Sequence, residues 1–381
     1  MYFTAFACLA YLAWLMWERR RACRDRAALR HVVHVNGIRG KSSVSRLIDA
    51  GLRAGGFRVF TKTTGTCPAI IGVDGCENPL HRRGKPSIKE QLHILGLAAM
   101  QNADVLVIEC MAVLPEYQKT SEDEMLRADI GVITNVRLDH PDEMGATLDE
   151  IAEALSNTIP ERGRLFTGEA TYRDFFADRA RKKGTSVVLS DGSDFAAEEI
   201  DFAENVSLAL AVCEHLGVER GKALAGMRHY RRDPGVFSVE TMAGKRDSRI
   251  VFLNALAAND PMSSERILDR VERQGLMASG KKMLLVNNRH DRPARLRQFV
   301  DFAVKHEHRF DRIVVAGDCM PLMRRALIKR GIAPERIVSM RDLSALADLE
   351  GDAVVFAVGN IVGSGRIRPD GDRKAGVFDV R

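Results

Sequence analysis

The sequence predicts an α/β protein with an apolar N-terminal helix followed by two domains, each built on a mostly parallel sheet. Short runs of valine, isoleucine and leucine alternate with amphipathic segments along most of the chain, which is typical of strand–helix–strand units. A glycine-bearing loop follows the first of these strands. At 381 residues the chain is long enough for two domains of ordinary size, each with its own core.

These patterns divide the chain into four segments. We expect an anchor helix over residues 1–18, a basic linker over 19–30, a first α/β domain over 31–233 and a smaller Rossmann-like α/β domain over 234–381. Pro234 and Gly235 interrupt the strand–helix rhythm, so we interpret this point as an interdomain hinge. The second domain is predicted from four apolar strands, near Ile250–Leu253, Lys282–Val286, Arg312–Ala316 and Ala353–Ala357.

The N-terminal segment is an uncharged, mostly apolar run over Tyr2–Trp17 that ends at an arginine cluster. Its length of about 16 residues is slightly short of the roughly 20 that span a bilayer, so a spanning helix would stand nearly upright. The arginines on its C-terminal side predict that this side is cytoplasmic. We therefore expect a single-pass anchor in the cell membrane with both domains in the cytoplasm. A helix packed on a partner and a buried core helix are the alternatives.

Composition places the two domains among globular proteins, with 45% hydrophobic and 28% charged residues. The net charge of +6 suits an anionic substrate, but aromatic and basic residues are not interleaved as they are in RNA-binding proteins. We therefore expect no nucleic-acid partner. The seven cysteines are scattered and form no C-x-x-C pair, which argues against a zinc site or a disulfide framework.

The stretch from His31 to Ser45 reads as a strand, a tight loop and the first turn of a helix. This order directs several backbone N–H groups and the positive end of the helix dipole at one point, which suits a polyphosphate. Within the G-x-x-G-K-S spacing, Lys41 would reach the β- and γ-phosphates and the Ser42 hydroxyl would bind Mg²⁺. The predicted nucleotide-binding residues of this loop are Asn36, Gly37, Ile38, Arg39, Gly40, Lys41, Ser42 and Ser43.

Polar residues follow two further predicted strands. Glu109 comes directly after the strand at Asp104–Ile108, and His140 lies in the segment after the strand at Ile130–Thr134. Carboxylate and imidazole groups beside a phosphate loop are typical of nucleotide chemistry with a hard metal ion. We predict that Ser42, Glu109 and His140 hold the metal, Mg²⁺ or alternatively Mn²⁺. The predicted catalytic residues are Lys41, Glu109 and His140.

Two basic or hydroxyl-rich segments are candidates for substrate binding. Lys62, Thr63 and Thr64 follow a predicted strand at Phe57–Thr61, at the edge where open α/β sheets place ligands. An ordinary polar turn is an equal alternative there. Further on, a predicted loop carries Arg82, Arg83 and Lys85, which would suit a clamp for carboxylates. A solvated charged face is the competing interpretation of that loop.

Together these motifs resemble those of the Mur-ligase-like amide ligases, most closely the ligase subunits of poly-γ-glutamate synthases (the PgsB or CapB type), over nearly the whole chain. The family's phosphate loop matches Gly37, Gly40, Lys41 and Ser42, and its metal-binding glutamate matches Glu109. Its T-N-x-x-x-D-H-x-D motif matches Thr134, Asn135, Asp139, His140 and Asp142. The resemblance implies a first domain like the Mur ligase central domain.

The resemblance also implies further nucleotide contacts. Asn135 and Asn205 are expected to bind ATP, although Leu208 replaces the second asparagine of the family's adenine-binding helix. Arg232 matches the family's domain-junction arginine. Asn259 and Asp260 are candidates for substrate binding, in a last-domain segment that has asparagine in place of the family's acidic and histidine positions. Many Mur ligases carry a carbamylated lysine after the D-H motif, and Leu155 stands near that place here.

The resemblance implies an ATP-dependent ligase that polymerises glutamate into poly-γ-glutamate through an acyl phosphate, releasing ADP and phosphate. It further implies oligomers, integral-membrane partner subunits of a poly-γ-glutamate synthase complex, and a basic loop that holds the growing polyanion. Three alternatives stay open: a folylpolyglutamate-synthase-like ligase, a membrane-tethered ATPase that drives polymer export, and a non-catalytic scaffold.

Overall fold

The structure is a computed structural model that describes residues 2–65, 68–82, 84, 86–192, 200–232, 237–246, 248–256, 258, 260–290, 293–341, 346, 351–359 and 378–380. The chain forms two compact units, Met1–Asp233 with Lys374–Arg381, and Pro234–Arg373. The predicted hinge at Asp233–Gly235 lies outside the described residues, as do Arg83, Lys85 and Asn259.

The helices are α1 (Tyr2–Ala27), α2 (Lys41–Ala54), α3 (Glu90–Met100), α4 (Pro115–Thr120), α5 (Pro141–Met144), α6 (Leu148–Ser156), α7 (Arg173–Lys182), α8 (Ala203–His215), α9 (Arg220–Arg228), α10 (Pro261–Arg273), α11 (Pro293–Lys305) and α12 (Met320–Lys329). A π-helical segment continues α4 at Ser121–Leu126, and 3-10 turns lie at Glu307–Arg309 and Pro334–Arg336.

The strands are β1 (His31–Asn36), β2 (Val59–Thr63), β3 (Ala69–Ile71), β4 (Glu77–Arg82), β5 (Val105–Glu109), β6 (Ile130–Ile133), β7 (Arg164–Thr167), β8 (Ser186–Leu189), β9 (Ser238–Ala243), β10 (Arg249–Asn254), β11 (Lys281–Asn288), β12 (Arg312–Gly317), β13 (Ile337–Ser339), β14 (Ala353–Gly359) and β15 (Phe378–Val380).

The first unit is organised around β1, which lies at the centre of a sheet with the order β15-β4-β3-β2-β5-β1-β6-β7-β8. Strands β2, β5, β1, β6, β7 and β8 run parallel to one another. Because their carboxyl ends share one edge, the segments after β1, β5 and β6 converge there. Strands β3 and β4 add an antiparallel hairpin next to β2.

Helix α2 packs on this sheet through an apolar stripe. Val44, Leu47, Ile48 and Leu52 are fully buried and recur at helical spacing, so one face of the helix enters the same apolar cluster as Val33 of β1. Burying each such side chain contributes about 1.5–3 kcal/mol. This packing fixes the first turn of α2, and with it Lys41 and Ser42, against the sheet edge.

The second unit contains a sheet with the order β13-β12-β11-β14-β10-β9. Its strands are parallel except for β9, which pairs antiparallel with β10. Strand β14 is buried over its whole length, which matches its unbroken apolar sequence. The prediction of an α/β fold with mostly parallel sheets is confirmed in both units.

Two strand ends differ from their predicted positions. Strand β2 continues to Thr63, so Lys62 and Thr63 lie inside a fully buried strand, and the predicted hydroxyl-rich turn begins only at Thr64. Arg82 is the last residue of β4, where a loop was predicted. In both cases a charged side chain concealed the strand, because its charge is neutralised by Glu90, which lies in a different element.

The predicted membrane anchor is wrong, and so is the membrane localisation that followed from it. Among the residues that the structure describes, no helix combines the length and the apolarity that crossing a bilayer requires. The apolar part of α1 rises about 24 Å, less than the roughly 30 Å of the hydrocarbon core. The helix then continues through the basic residues as one element to Ala27. At that end Arg26 forms an ion pair with Asp129 at 2.7 Å.

Candidate active site

The phosphate loop needs its two glycines for conformational and steric reasons. Gly37 and Gly40 have φ values of 120° and 81°, in the region that favours glycine. A Cβ on Gly37 would lie 2.1 Å from Thr134 Oγ1, and one on Gly40 would lie 2.7 Å from Asn205 Oδ1. The loop therefore packs against the segment after β6 on one side and against α8 on the other.

The Lys41 ammonium lies within this loop. Its Nζ donates hydrogen bonds to the carbonyl oxygens of Gly37 at 2.6 Å and Ile38 at 3.3 Å. Burial lowers the pKa of Lys41, while the nearby Glu109 carboxylate acts in the opposite direction. A cation held by neutral carbonyls can exchange them for phosphate oxygens, which are stronger acceptors.

Ser42 and Glu109 meet beside the loop. The Ser42 hydroxyl donates a hydrogen bond to Glu109 Oε2 at 2.9 Å, and the backbone N–H of Thr64 donates to the same oxygen at 2.7 Å. Glu109 is 2% exposed, so its carboxylate is held at the end of β5 by these two donors. The parallel pairing of β5 with both β1 and β2 brings all three residues to one edge.

The segment after β6 holds the phosphate loop in shape. Thr134 Oγ1 and Asn135 Nδ2 donate to the Arg39 carbonyl at 2.6 and 3.0 Å, and Asn135 Oδ1 accepts from the Arg39 N–H at 3.0 Å. The Arg39 guanidinium lies 3.1 Å from Asp139 Oδ2. Asn135 was predicted to bind nucleotide, but its side chain contacts loop backbone here.

His140 stands at the N-terminus of the short helix α5 with a φ of 51°. Its Nε2 lies 3.8 Å from Asp139 Oδ2 and its Nδ1 lies 3.7 Å from Glu143 Oε2, beyond hydrogen-bonding distance in both cases. The side chain is 38% exposed. It lines the same cavity as Lys41 and Glu109, so the structure brings the three predicted catalytic residues to one site.

This cavity has a volume of about 340 Å³ and a wall of both polar and apolar residues. The cationic residues of its lining are Arg39, Lys41 and Arg82, and the anionic ones are Glu109 and Asp139. Loop residues Asn36, Gly37 and Ile38 also face it, as do Thr64 and Gly65. Cys110 and Met111, directly after β5, also form part of the wall.

The donor set fits a hard divalent cation. The Ser42 hydroxyl and the Glu109 carboxylate offer adjacent oxygens, which Mg²⁺ and Mn²⁺ prefer. His140 shares the cavity and could add a nitrogen ligand. Within the described residues, no three His, Cys, Asp or Glu side chains cluster closely enough to form a metal site by themselves. Leu155, in α6, is fully buried in an apolar cluster.

Three further predicted nucleotide contacts are buried in the first unit. Asn36 donates to Gln118 Oε1 at 2.8 Å and Thr158 Oγ1 at 3.1 Å. Ser43 is buried in the first turn of α2. Asn205, in the first turn of α8, donates to Asp201 Oδ1 at 3.1 Å.

Arg232 lies apart from the main cavity. Its Nη2 donates to the Ile200 carbonyl at 3.0 Å, and it lines a separate cavity of about 200 Å³ together with Tyr230 and Arg228. Asp260 also has a structural contact, because it caps α10 by accepting from the Ser263 N–H at 2.8 Å.

Among the predicted substrate residues, Thr64 and Arg82 line the cavity, whereas Lys62 and Thr63 are buried beneath it. Sequence analysis missed Glu90, which forms ion pairs with both Lys62 and Arg82. The signal available in the sequence was a lone acidic residue in the first turn of α3, directly after the basic segment.

A buried polar pair behind the phosphate loop was also missed. His34, in the middle of β1, is fully buried, and its Nδ1 lies 2.7 Å from Glu122 Oε2. Burial by itself lowers the pKa of His34, but the neighbouring Cys110 and the Glu122 carboxylate outweigh that effect and raise the pKa to about 9. Glu122 belongs to the π-helical segment, a kind of irregularity that often occurs at functional sites.

Two family models match the chain. The model described as "Mur ligase middle domain" covers residues 35–215, and the model described as "Poly-gamma-glutamate synthase CapB C-terminal domain" covers residues 239–367. The first match contains the phosphate loop and every residue that lines the main cavity. The two matches leave residues 1–34, 216–238 and 368–381 uncovered.

Two curated proteins are similar along most of the chain. The "PGA synthase CapB" of Bacillus subtilis is 34% identical over 378 residues, which are 96% of this chain and 95% of that protein. The "Capsule biosynthesis protein CapB" of Bacillus anthracis is 34% identical over 363 residues, which are 92% of this chain and 78% of that protein.

Solved structures with the same fold include folylpolyglutamate synthases. The enzyme from Thermotoga maritima has a TM-score of 0.59 at 17% identity, covering 94% of this chain and 95% of that one. The bifunctional folylpolyglutamate synthase/dihydrofolate synthase of Yersinia pestis, complexed with AMPPNP and Mn ion, has a TM-score of 0.61 at 15% identity, covering 92% and 95%. At these identities the likeness concerns the fold alone.

The matches confirm both the resemblance identified from the motifs and the prediction of an ATP-dependent amide ligase. Identity of 34% over nearly the whole length establishes the family, and the Mur ligase match covers the domain that holds the phosphate loop. The chain therefore belongs to the CapB family of poly-γ-glutamate synthases, and it is an ATP-dependent ligase that forms amide bonds.

Proposed function

We propose that this chain polymerises glutamate into poly-γ-glutamate, as a capsule or secreted polymer, and releases ADP and phosphate. The observation that carries the proposal is the single cavity lined by Lys41, Glu109 and His140, with the Ser42 hydroxyl bonded to Glu109. The names of the curated relatives, a PGA synthase and a capsule biosynthesis protein, support glutamate as the unit that is joined.

The reaction has two steps. A glutamyl γ-carboxylate oxygen attacks the terminal phosphorus of ATP, the bond from that phosphorus to its bridging oxygen breaks, and ADP leaves. The amine nitrogen of the next glutamate then attacks the acyl carbon. The carbon–oxygen bond to phosphate breaks, phosphate leaves, and the nitrogen loses its proton to water. Activation is needed because an unmodified carboxylate has no adequate leaving group.

The chain's own residues position these groups and stabilise charge, which is the main task in phosphoryl transfer. Lys41 and the N–H groups of the loop face the transferred phosphoryl group. Thr134 and Asn135 keep the loop rigid through the Arg39 carbonyl, so little reorganisation accompanies binding. Asp139 fixes the Arg39 guanidinium at the cavity wall.

We propose Mg²⁺ as the metal, held by Ser42, Glu109 and His140, with Mn²⁺ as the alternative. When bound, such an ion neutralises charge on the phosphate oxygens. The adjacent hydroxyl and carboxylate oxygens support a hard cation, and the Thr64 N–H would help to hold the Glu109 carboxylate in place for it.

The experiment that tests this function supplies the purified full-length chain with ATP, Mg²⁺ and either D- or L-glutamate, then measures ADP and the masses of the products. We expect a ladder of products spaced by one glutamyl unit. The ladder should disappear in Lys41→Ala and persist in Lys119→Ala, a matched change of an exposed lysine that pairs with Asp123. ADP release without a ladder would contradict glutamate polymerisation.

The same assay separates the alternatives. A pterin substrate is added in a parallel reaction, because the fold is shared with folylpolyglutamate synthases. Pterin-dependent ADP release would favour a folate ligase. ADP release that needs Lys41 but yields no amide product of any kind would favour an ATPase that drives export.

We further propose that the chain works within a capsule-synthesis complex whose partner subunits cover the apolar residues of α1. Tyr2, Phe3 and Phe6 are 90%, 84% and 71% exposed, an unusual amount of bare aromatic surface. Deleting residues 2–17 is expected to lower polymer yield in cells while glutamate-dependent ADP release by the purified chain stays unchanged. Equal polymer yield in cells would contradict this proposal.

A further inference from the structure

Three charged side chains from different elements meet beside the active-site cavity. Glu90, in the first turn of α3, accepts from Lys62 Nζ at 2.9 Å. The same carboxylate accepts from Arg82 Nε at 2.6 Å and from Arg82 Nη2 at 3.0 Å. We call these three residues the Glu90 cluster. It joins β2, β4 and α3, so it ties the added hairpin to the main sheet.

The Glu90 cluster carries more positive charge than its internal pairing needs. Lys62 is fully buried and Glu90 is 6% exposed, so both ions have lost most of their hydration. Such burial is costly unless each ion has a partner. Glu90 is the carboxylate that forms ion pairs with both cations, and the Glu109 carboxylate also stabilises the charge on Lys62. The positive charge that is left over therefore lies on Arg82. The surplus points to an anion that binds there.

The surplus charge faces the active-site cavity. Arg82 lines the cavity together with Lys41 and Glu109, and its side chain is 20% exposed. Met111, another wall residue, has its sulfur 3.7 Å from Lys62 Nζ. Glu90 occupies the Nε–Nη2 edge of the Arg82 guanidinium, and Nη1 has no hydrogen-bond partner in the part of the chain that the structure describes.

The substrate chemistry matches this geometry. In a γ-linked glutamyl chain every unit keeps a free α-carboxylate, so the enzyme has to hold a carboxylate that does not react while the γ-carboxyl group is activated. We propose that the Glu90 cluster is the binding site for that α-carboxylate, with Arg82 as the contacting residue and Glu90 as the positioning residue. This inference rests on the proposed function.

Glu90 has two effects on the site. Its hydrogen bonds with one edge of the guanidinium fix the orientation of Arg82. Less side-chain entropy is therefore lost when the anion binds. It also stabilises the charged form of Lys62. Burial lowers the pKa of Lys62 and Glu90 opposes that change, while burial raises the pKa of Glu90 but the two cations outweigh it and lower that pKa.

The test compares two probes in wild type and Arg82→Gln. One probe is γ-linked triglutamate, and the other is the same peptide with its α-carboxylates converted to carboxamides. Wild type is expected to bind the carboxylate probe at least tenfold more tightly than the carboxamide, measured calorimetrically with ADP and Mg²⁺ present. Arg82→Gln should lose that preference, and its KM for ATP should change less than twofold.

Glu90→Gln tests the positioning role. We expect it to raise KM for the carboxylate probe with a smaller change in kcat. If the unpaired Lys62 prevents folding, the double variant Lys62→Met with Glu90→Gln removes both buried charges, and it should still bind the carboxylate probe more weakly than wild type. Arg179→Gln is the matched control, because it breaks an arginine–glutamate pair on the surface of the same unit.

The outcomes separate this inference from the proposed function. A wild-type enzyme that ligates glutamate but binds both probes equally would overturn the inference alone. So would unchanged KM and probe preference in both Arg82→Gln and Glu90→Gln. A wild-type chain that makes no glutamyl product, yet binds the carboxylate probe through Arg82, would overturn the proposed function and leave this anion site supported. A chain that does neither would overturn both.

Discussion

The Ser42 hydroxyl donates to Glu109 Oε2 across 2.9 Å, although the two residues are 67 positions apart in sequence. Ser42 opens α2 and Glu109 ends β5, and only the parallel pairing of β1 with β5 brings them together. The Thr64 N–H, at 2.7 Å, holds the same carboxylate oxygen from a third segment. This arrangement places two oxygen atoms that could bind a metal ion beside the loop that holds the Lys41 ammonium.

The first prediction concerns the metal. Glu109→Gln keeps the size of the side chain but removes the charge that a divalent cation needs, so ADP release should fall by on the order of 100-fold or more. Ser42→Ala should instead raise the metal concentration needed for half-maximal rate. The measurement is ADP release across Mg²⁺ and Mn²⁺ titrations. A Glu109→Gln enzyme with an unchanged metal requirement would exclude this carboxylate as a ligand.

The second prediction concerns the phosphate loop. In Gly37→Ala the new methyl group would meet Thr134 Oγ1 at 2.1 Å, so the loop must shift away from its hydrogen bonds to the segment after β6. We expect ADP release to fall at least tenfold. Gly56→Ala is the matched control, since Gly56 also has a positive φ, 93°, but has open space around it. Equal losses of activity in the two variants would show that backbone strain, and not the contact with Thr134, causes the effect.

Much of this site could be predicted from local sequence. The strand, glycines, lysine and serine of the phosphate loop occur within 15 residues of each other, and Glu109 follows an obvious apolar strand. What could not be predicted depended on side-chain pairing between elements. Lys62 looks like a turn residue until Glu90 neutralises it inside β2, and Arg82 looks like part of a solvated loop until the same carboxylate pairs with it at the end of β4. The apolar composition of the N-terminal run is typical of a membrane anchor, but no helix of the described residues is long and apolar enough to cross a bilayer.

The third prediction concerns the buried pair behind the loop. The pKa of His34 is raised from its ordinary 6.5 to about 9, because Cys110 and Glu122 outweigh the burial effect. The folded state therefore holds a proton that the unfolded chain releases between these values. The stabilisation is complete below pH 6.5 and is lost as the pH rises toward 9, amounting to about 3 kcal/mol of unfolding free energy.

Urea unfolding at pH 6, 7.5 and 9 measures this loss. In Glu122→Gln the free energy of unfolding should fall less as the pH rises, since the amide cannot stabilise the imidazolium as a carboxylate does. His229→Asn, a change of an exposed histidine in the same unit, should leave the decline as in wild type. Wild-type stability that does not change over this pH range would show that His34 is neutral in the folded protein.

The last prediction concerns the support of Asn205, the residue expected to contact adenine. Asp201 is 5% exposed and its Oδ1 accepts from Asn205 Nδ2 at 3.1 Å, while its other oxygen accepts from the Tyr230 hydroxyl. Asp201→Asn removes the charge and leaves one acceptor oxygen where the carboxylate has two, so the two bonds are weakened together. Because a buried hydrogen bond contributes about 1 kcal/mol, we expect the KM for ATP to rise about fivefold with kcat nearly unchanged.

Tyr230→Phe removes only the hydrogen bond from the Tyr230 hydroxyl to Asp201. Its effect on the KM for ATP should therefore be smaller than that of Asp201→Asn and in the same direction. Asp74→Asn, a change in the turn between β3 and β4, serves as the control. Steady-state ADP release at varied ATP measures all three variants. If Asp201→Asn lowered kcat while leaving the KM for ATP unchanged, the carboxylate would act on the chemical step. Nucleotide binding by Asn205 would then not depend on Asp201.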